Sequence, residues 1–203
     1  MHFFPDLSFQ RILFQACAAL IIITTHGFFL AAFARLFGDR GPQYDGRLSL
    51  NPFKHIEPIG ALALVFVQIG WIRPLALETK LPRGGKSGPF LVAALSVLAT
   101  LTLSLVFWNI RPLAFAQLGG GSVGISAIGI LETTARSSVY FALFNLIPLL
   151  PLSLGHALIG FAPRLAGQLV RHQTLVALGL GAAVFATGPY LRALIGPLVD
   201  TIF

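Results

Sequence analysis

The sequence predicts an all-α polytopic membrane protein with about four to five membrane helices. Three observations point there. Only 10% of the 203 residues are charged while 56% are hydrophobic, and the mean hydropathy is +0.83; soluble domains carry about 25% charged residues. Five apolar stretches stand out, at 12–36, 58–76, 89–110, 127–160 and 173–198, and a membrane span needs about 20 apolar residues. Most of the positive charge gathers between the stretches or at their edges. The length fits one domain, 1–203.

The net charge of +7 reads as topology, because Lys and Arg collect in cytoplasmic loops. No basic run with interleaved aromatics appears, so nucleic acid is not an expected partner. Cys17 is the single cysteine and reads as a small core residue that cannot close an intrachain disulfide. The start, MHFFPDLSFQR, lacks the basic n-region and small-residue cleavage site of a signal peptide. The first apolar stretch is therefore expected to remain in the mature protein.

The first, third and fifth stretches are long enough to span. The second, from EPIG to GWIRP, is short and bounded by Pro and Gly. Arg35, Arg40, Arg47 and Lys54 precede it, and Arg73, Lys80, Arg83 and Lys86 follow it. A crossing would divide these charges evenly between the two sides. A re-entrant segment at 58–76 keeps them together, as the positive-inside tendency favours. That reading gives four true spans with both termini outside the cytoplasm. In the fourth stretch, Glu132 and Arg136 lie four apart, the spacing of an ion pair on one helix face. Asn145, Pro148 and Pro151 then break the helix, because Pro removes a backbone donor and clashes with the preceding turn. The run LGGGSVG at 118–124 lacks the Lys-Ser/Thr of a phosphate loop and reads as a flexible extracytoplasmic loop. No period of 20–50 residues repeats.

Four segments occur in a telling order: THGFFLAAFARLFGD (25–39), GRLSLNPFKHIEPIG (46–60), GWIRPLAL (70–77) and FNLIPLLPLSLGH (144–156). Together they resemble the site-2 protease family of intramembrane zinc metalloproteases, in its compact bacterial branch, over residues 20 to 160. The resemblance implies a site-2-protease-like core with a short cytoplasmic loop or hairpin, in a bacterial inner membrane. In active members an H-E-x-x-H helix supplies two zinc ligands and a general base. A later N-x-x-P-x-x-P-L-D-G-type segment supplies an Asp ligand and lies beside the substrate.

Laid onto this chain, His26 matches the first histidine. Gly27 stands for the Glu, Leu30 for the second histidine and Ser153 for the Asp. Asn145, Pro148, Pro151 and Leu152 match, while Ser96 to Thr100 replaces an expected Gly-Pro-x-x-Asn. Leu has no lone pair, Gly cannot take a proton and Ser is a poor neutral ligand. A shifted site using His55 or His156 would still lack a nearby carboxylate base. His26 then reads as a relic, with Thr24 and Thr25 near it in sequence.

From these departures the expectation is a protein without enzymatic activity: a pseudoprotease with no catalytic residues, no metal site and no zinc. It would serve as a structural or regulatory accessory subunit that binds other membrane proteins or transmembrane helices of a larger complex within the lipid bilayer. Asn145, Pro148 and Pro151 are its expected partner- or peptide-binding groove, and Gly179, Gly181, Ala182 and Ala183 suit close helix packing. The alternative is an active intramembrane metalloprotease with a non-standard zinc site. A small transporter subunit ranks last, since no polar residues converge and no repeat is evident.

Overall fold

The computed structural model describes residues 8–203, and the N-terminal MHFFPDL lies outside the described residues. Helix α1 runs Phe9–Leu36, where Ser8 caps its start by accepting from the Arg11 amide at 3.3 Å. Beyond its cap residue Phe37 the chain turns at Gly38, whose φ of 98° suits a residue without Cβ. A one-turn helix α2 (Gly41–Tyr44) and a 3-10 turn over Pro52–Lys54 lead to α3, Pro58–Val67. Glu57 caps α3 through its carboxylate, which accepts from the Gly60 amide at 2.6 Å.

Helix α3 has ten residues, about 15 Å at 1.5 Å per residue, half of a hydrocarbon core of about 30 Å. It stops at Gln68, in the left-handed region at φ 63°, and the chain returns extended. The Arg73 amide then donates to the His55 carbonyl at 2.8 Å. The segment therefore leaves where it entered, which is the re-entrant path that charge counting favoured.

Helix α4 spans Gly88–Leu118 and α5 spans Ser122–Phe144. Between them is a three-residue glycine turn, with Gly119 at φ 71°, shorter than the loop expected at 118–124. After α5 the chain is irregular through Leu152 and makes a 3-10 turn over Ser153–His156. It continues as α6 (Ala157–Phe161), α7 (Pro163–Arg171) and α8 (Gln173–Ile202).

Helices α1, α4 and α8 are each long and apolar enough to cross a membrane. Helix α5 is shorter at 23 residues, and Glu132, Arg136 and several Ser and Thr residues make it more polar. The Glu132–Arg136 pair forms at 3.6 Å within a wider cluster: Arg111 reaches Glu132 at 3.3 Å and Arg136 reaches Asp200 at 2.7 Å.

Helix α1 packs against α3, α4 and α5. Ile22, Ile23 and Leu30 of α1, Leu64 of α3, Val92 of α4 and Phe141 of α5 form the main core. A second cluster, with Val67, Trp71, Leu152 and Val184, joins α3 to α8. Two glycines allow that approach: a Cβ at Gly181 would meet Ile59, and one at Gly188 would meet Val67. Gly181 thus packs within the chain, whereas the position of Gly179 is open.

Candidate functional site

His26 sits midway along α1 and is wholly buried, edge-on to Phe141 with ring centroids 5.0 Å apart. Its Nδ1 lies 2.8 Å from the Thr100 hydroxyl and its Nε2 lies 2.7 Å from the Ser153 hydroxyl. Each hydroxyl has one proton. If Thr100 donates to the Ser96 carbonyl at 2.9 Å, Nδ1–H donates to Thr100 and Nε2 accepts from Ser153. If Ser153 donates to Asn145 Oδ1 at 3.1 Å, Nε2–H donates to Ser153 and Nδ1 accepts from Thr100. Either neutral tautomer satisfies both ring nitrogens.

Asn145 anchors the other side. Its amide nitrogen donates to the carbonyls of Gly70 and Phe141, at 3.0 and 2.9 Å. Its Oδ1 lies 3.0 Å from the Ser153 amide and 3.1 Å from the Ser153 hydroxyl. One side chain thus ties the end of α5 to the re-entrant segment and to Ser153. Pro148 is exposed; Pro151 is buried and borders a cavity of about 390 Å³.

The lost motif positions therefore converge. Ser153, where the Asp ligand is expected, and Thr100, where the Asn is expected, both hydrogen-bond to His26. Leu30 is fully buried in the apolar core. A side chain at Gly27 would run into the His55 imidazole, so His55 fills the space that a Glu side chain would enter. His55 Nε2 lies 2.9 Å from the Ser49 carbonyl, to which it donates, and its buried Nδ1 lacks a partner among the described residues. Burial holds His55 below the usual 6.5, helped by repulsion from Arg47 and offset by the bond to Ser49. His156 turns its nitrogens to backbone: Nδ1 to the Ser153 carbonyl at 2.7 Å, and Nε2 to Leu75.

These donors do not fit zinc. Both nitrogens of His26 are engaged by hydroxyls, Leu30 offers no lone pair, and a catalytic zinc wants three ligands and an open position. Among the described residues no group of three His, Cys, Asp or Glu is placed to hold a metal ion. Glu57 is the cap of α3 and Glu132 belongs to the ion cluster, so neither serves as a base beside His26.

Sequence reasoning missed the partners of His26. Thr24 and Thr25 were its neighbours in sequence, but the Thr25 hydroxyl donates to the Ile21 carbonyl. The actual partners lie 74 and 127 residues away. The coincidence of two hydroxyl residues at two substituted motif positions was the available signal.

No family model matches the chain, and no solved structure matches it. Over 137 residues it is 28% identical to a Bacillus subtilis (strain 168) protein named "Putative zinc metalloprotease YwhC", covering 66% of this chain and 62% of the relative. The chain thus spans less than two thirds of that relative's length. This similarity corrects the expectation that the chain is not an enzyme: a relative named as a metalloprotease points to a protease. Loss of motif ligands weighs against zinc at His26, not against all hydrolytic chemistry. The relative's name suggests zinc, while the donors around His26 do not supply its ligands. The three spanning helices and this relative together mark an integral membrane protein, and the similarity supports placing the chain in a site-2-protease-like family.

Proposed function

We propose that this protein acts on other membrane proteins of the bacterial inner membrane by holding one of their polypeptide segments along residues 146–151, as a subunit of a larger complex. One observation carries the reading. Leu146, Ile147 and Leu149 are 41%, 44% and 36% exposed, in a segment whose amides make only short turn bonds, to Leu143, Phe144 and Ile147. The carbonyls of Leu146, Pro148 and Leu150 accept no hydrogen bond among the described residues. Unsatisfied backbone groups are costly in a bilayer, and an extended partner segment can supply both the missing donors and the apolar cover. Asn145 and Ser153 hold this edge from behind.

The test places a photo-crosslinking residue at Ile147 or at Leu98, which is 57% exposed on α4. A membrane polypeptide crosslinked at Ile147 and absent at Leu98 supports the reading. Equal crosslinking at both positions refutes it.

Peptide-bond hydrolysis is a second reading, favoured by the name of the relative. It derives no step from a metal, because the donors do not fit one. What the chain offers is the buried Ser153 hydroxyl, 2.7 Å from an imidazole nitrogen that can take its proton in the Nδ1–H tautomer. Cleavage of a transmembrane reporter by the purified protein, lost on Ser153→Ala with normal protein levels, supports this reading. Absence of cleavage across several reporters counts against it.

A further inference from the structure

The loop after α1 and the returning arm of the re-entrant segment enclose a cavity of about 480 Å³. Arg47, Lys54 and Arg73 line it, with Asp45 as the acidic residue in its wall and Gln173 at its rim. No ion pair within 4.0 Å involves any of these three cations among the described residues.

Arg47 is the unusual member. It is 5% exposed, and it donates to the carbonyls of Lys54 and Arg73, each at 2.6 Å. Its Nε is buried without a partner among the described residues. Neutral carbonyls hold the guanidinium in place and supply no counter-charge. Asp45 in the cavity wall offsets part of it without an ion pair within 4.0 Å, and a buried cation only partly compensated is costly. Burial, together with repulsion from Arg73 and against attraction to Asp45, lowers its pKa from 12.5 to about 10. At neutral pH it stays charged, and with Lys54 and Arg73 it outnumbers Asp45, so the cavity carries net positive charge.

The surroundings narrow the ligand further. Arg73, Pro74 and Gln173 also border the adjoining cavity of about 390 Å³, whose wall is otherwise apolar (Ile56, Pro58, Ile59, Pro151 and Ala177) except for Glu57 and Thr174. A cationic mouth thus opens onto a largely apolar groove between α3 and α8, in which the Glu57 carboxylate is engaged by the Gly60 amide. Gln173 begins the 30-residue spanning helix α8, which puts the mouth at a membrane surface.

We infer that Arg47, Lys54 and Arg73 form a binding site for a phosphate-bearing anion. Arg47 supplies a fixed charge and Arg73 a planar fork suited to phosphate oxygens. The phosphate can come from a phospholipid headgroup, with an acyl chain along the Ile59–Ala177 groove, or from free phosphate.

The experiment uses the full chain in phosphatidylcholine nanodiscs and reads its thermal unfolding midpoint. One arm adds phosphatidylglycerol to the nanodisc, and the other adds inorganic phosphate at constant ionic strength. The expected result is a raised midpoint with phosphatidylglycerol, abolished in Lys54→Gln/Arg73→Gln, whose exposed positions spare the core. A rise with inorganic phosphate alone, abolished in the same variant, supports the site and assigns its source to free phosphate. No rise in either arm, or an equal rise in the double variant, overturns the inference. Arg47→Gln is a second variant. If it folds, it should also lose the rise, and a fully retained rise there overturns the role given to Arg47.

Discussion

His26 shows how little of a buried site is visible from its neighbours in sequence. Its position in an apolar run indicated burial, but not that two hydroxyls would engage both nitrogens. A single hydrogen bond contributes about 0.5–1.5 kcal/mol. Removing His26 breaks two bonds, leaves two hydroxyls short of a partner and opens a cavity beside Phe141. His26→Ala is therefore expected to cost about 2–4 kcal/mol, read as a lowered unfolding midpoint in detergent. Gly27 and His55 make a sharper pair. A methyl group at 27 must displace the imidazole, and such overpacking typically costs about 1–3 kcal/mol. Gly27→Ala should destabilise the native chain and do so much less in a His55→Ala background. Equal costs in both backgrounds would show that the two residues do not compete for space. The same imidazole gives a pH dependence. Its folded-state pKa lies below 6.5, so the unfolded chain takes up the proton first as pH falls. The stabilising contribution is present above about pH 6.5 and is lost below it. His55→Gln should flatten that part of the stability profile, as measured by unfolding at pH 5 and 7.5.

Among the elements, the long apolar runs were legible because length and hydropathy alone define them; 89–110 became Gly88–Leu118 and 173–198 became Gln173–Ile202. Pro148 and Pro151 correctly marked the break after α5, since neither can continue a helix. The turn at Gln68 was not legible. A left-handed glutamine carries no composition signal, and its side chain is held by a hydrogen bond to Ser137 on a distant helix. Nor did the sequence reveal that Gly181 and Gly188 serve α3 rather than another protein. The re-entrant path has a direct check. Single cysteines at Ser49 and Ser87, with Cys17 replaced, should both be shielded in intact cells from an impermeant thiol reagent, while one at Ser122 should react. Reaction at one of Ser49 and Ser87 but not the other would mean that 58–76 crosses.

For the whole molecule, the scaffold and its chemistry point in different directions. The fold brings His26, Ser153, Asn145 and the edge at 146–151 together, as expected of a chain related to a metalloprotease. Yet the groups nearest His26 are hydroxyls, and those nearest Gly27 are the atoms of His55. Rebuilding a metal site tests whether the ligands alone have changed. Leu30→His with Ser153→Asp would place three donor side chains around the native backbone, but each change meets resistance. Leu30 is embedded in the main core, and Ser153 is fixed by Asn145. Adding Gly27→Glu meets a third obstacle, because His55 occupies its path. The expected outcome is that the triple variant is markedly less stable than the double, and that His55→Ala restores much of the difference. Zinc content by elemental analysis and unfolding midpoints, measured across this series, provide the check. If Gly27→Glu were accommodated as easily with His55 present as without it, then His55 would not be what closes this position. The space beside His26 would then be open to a carboxylate.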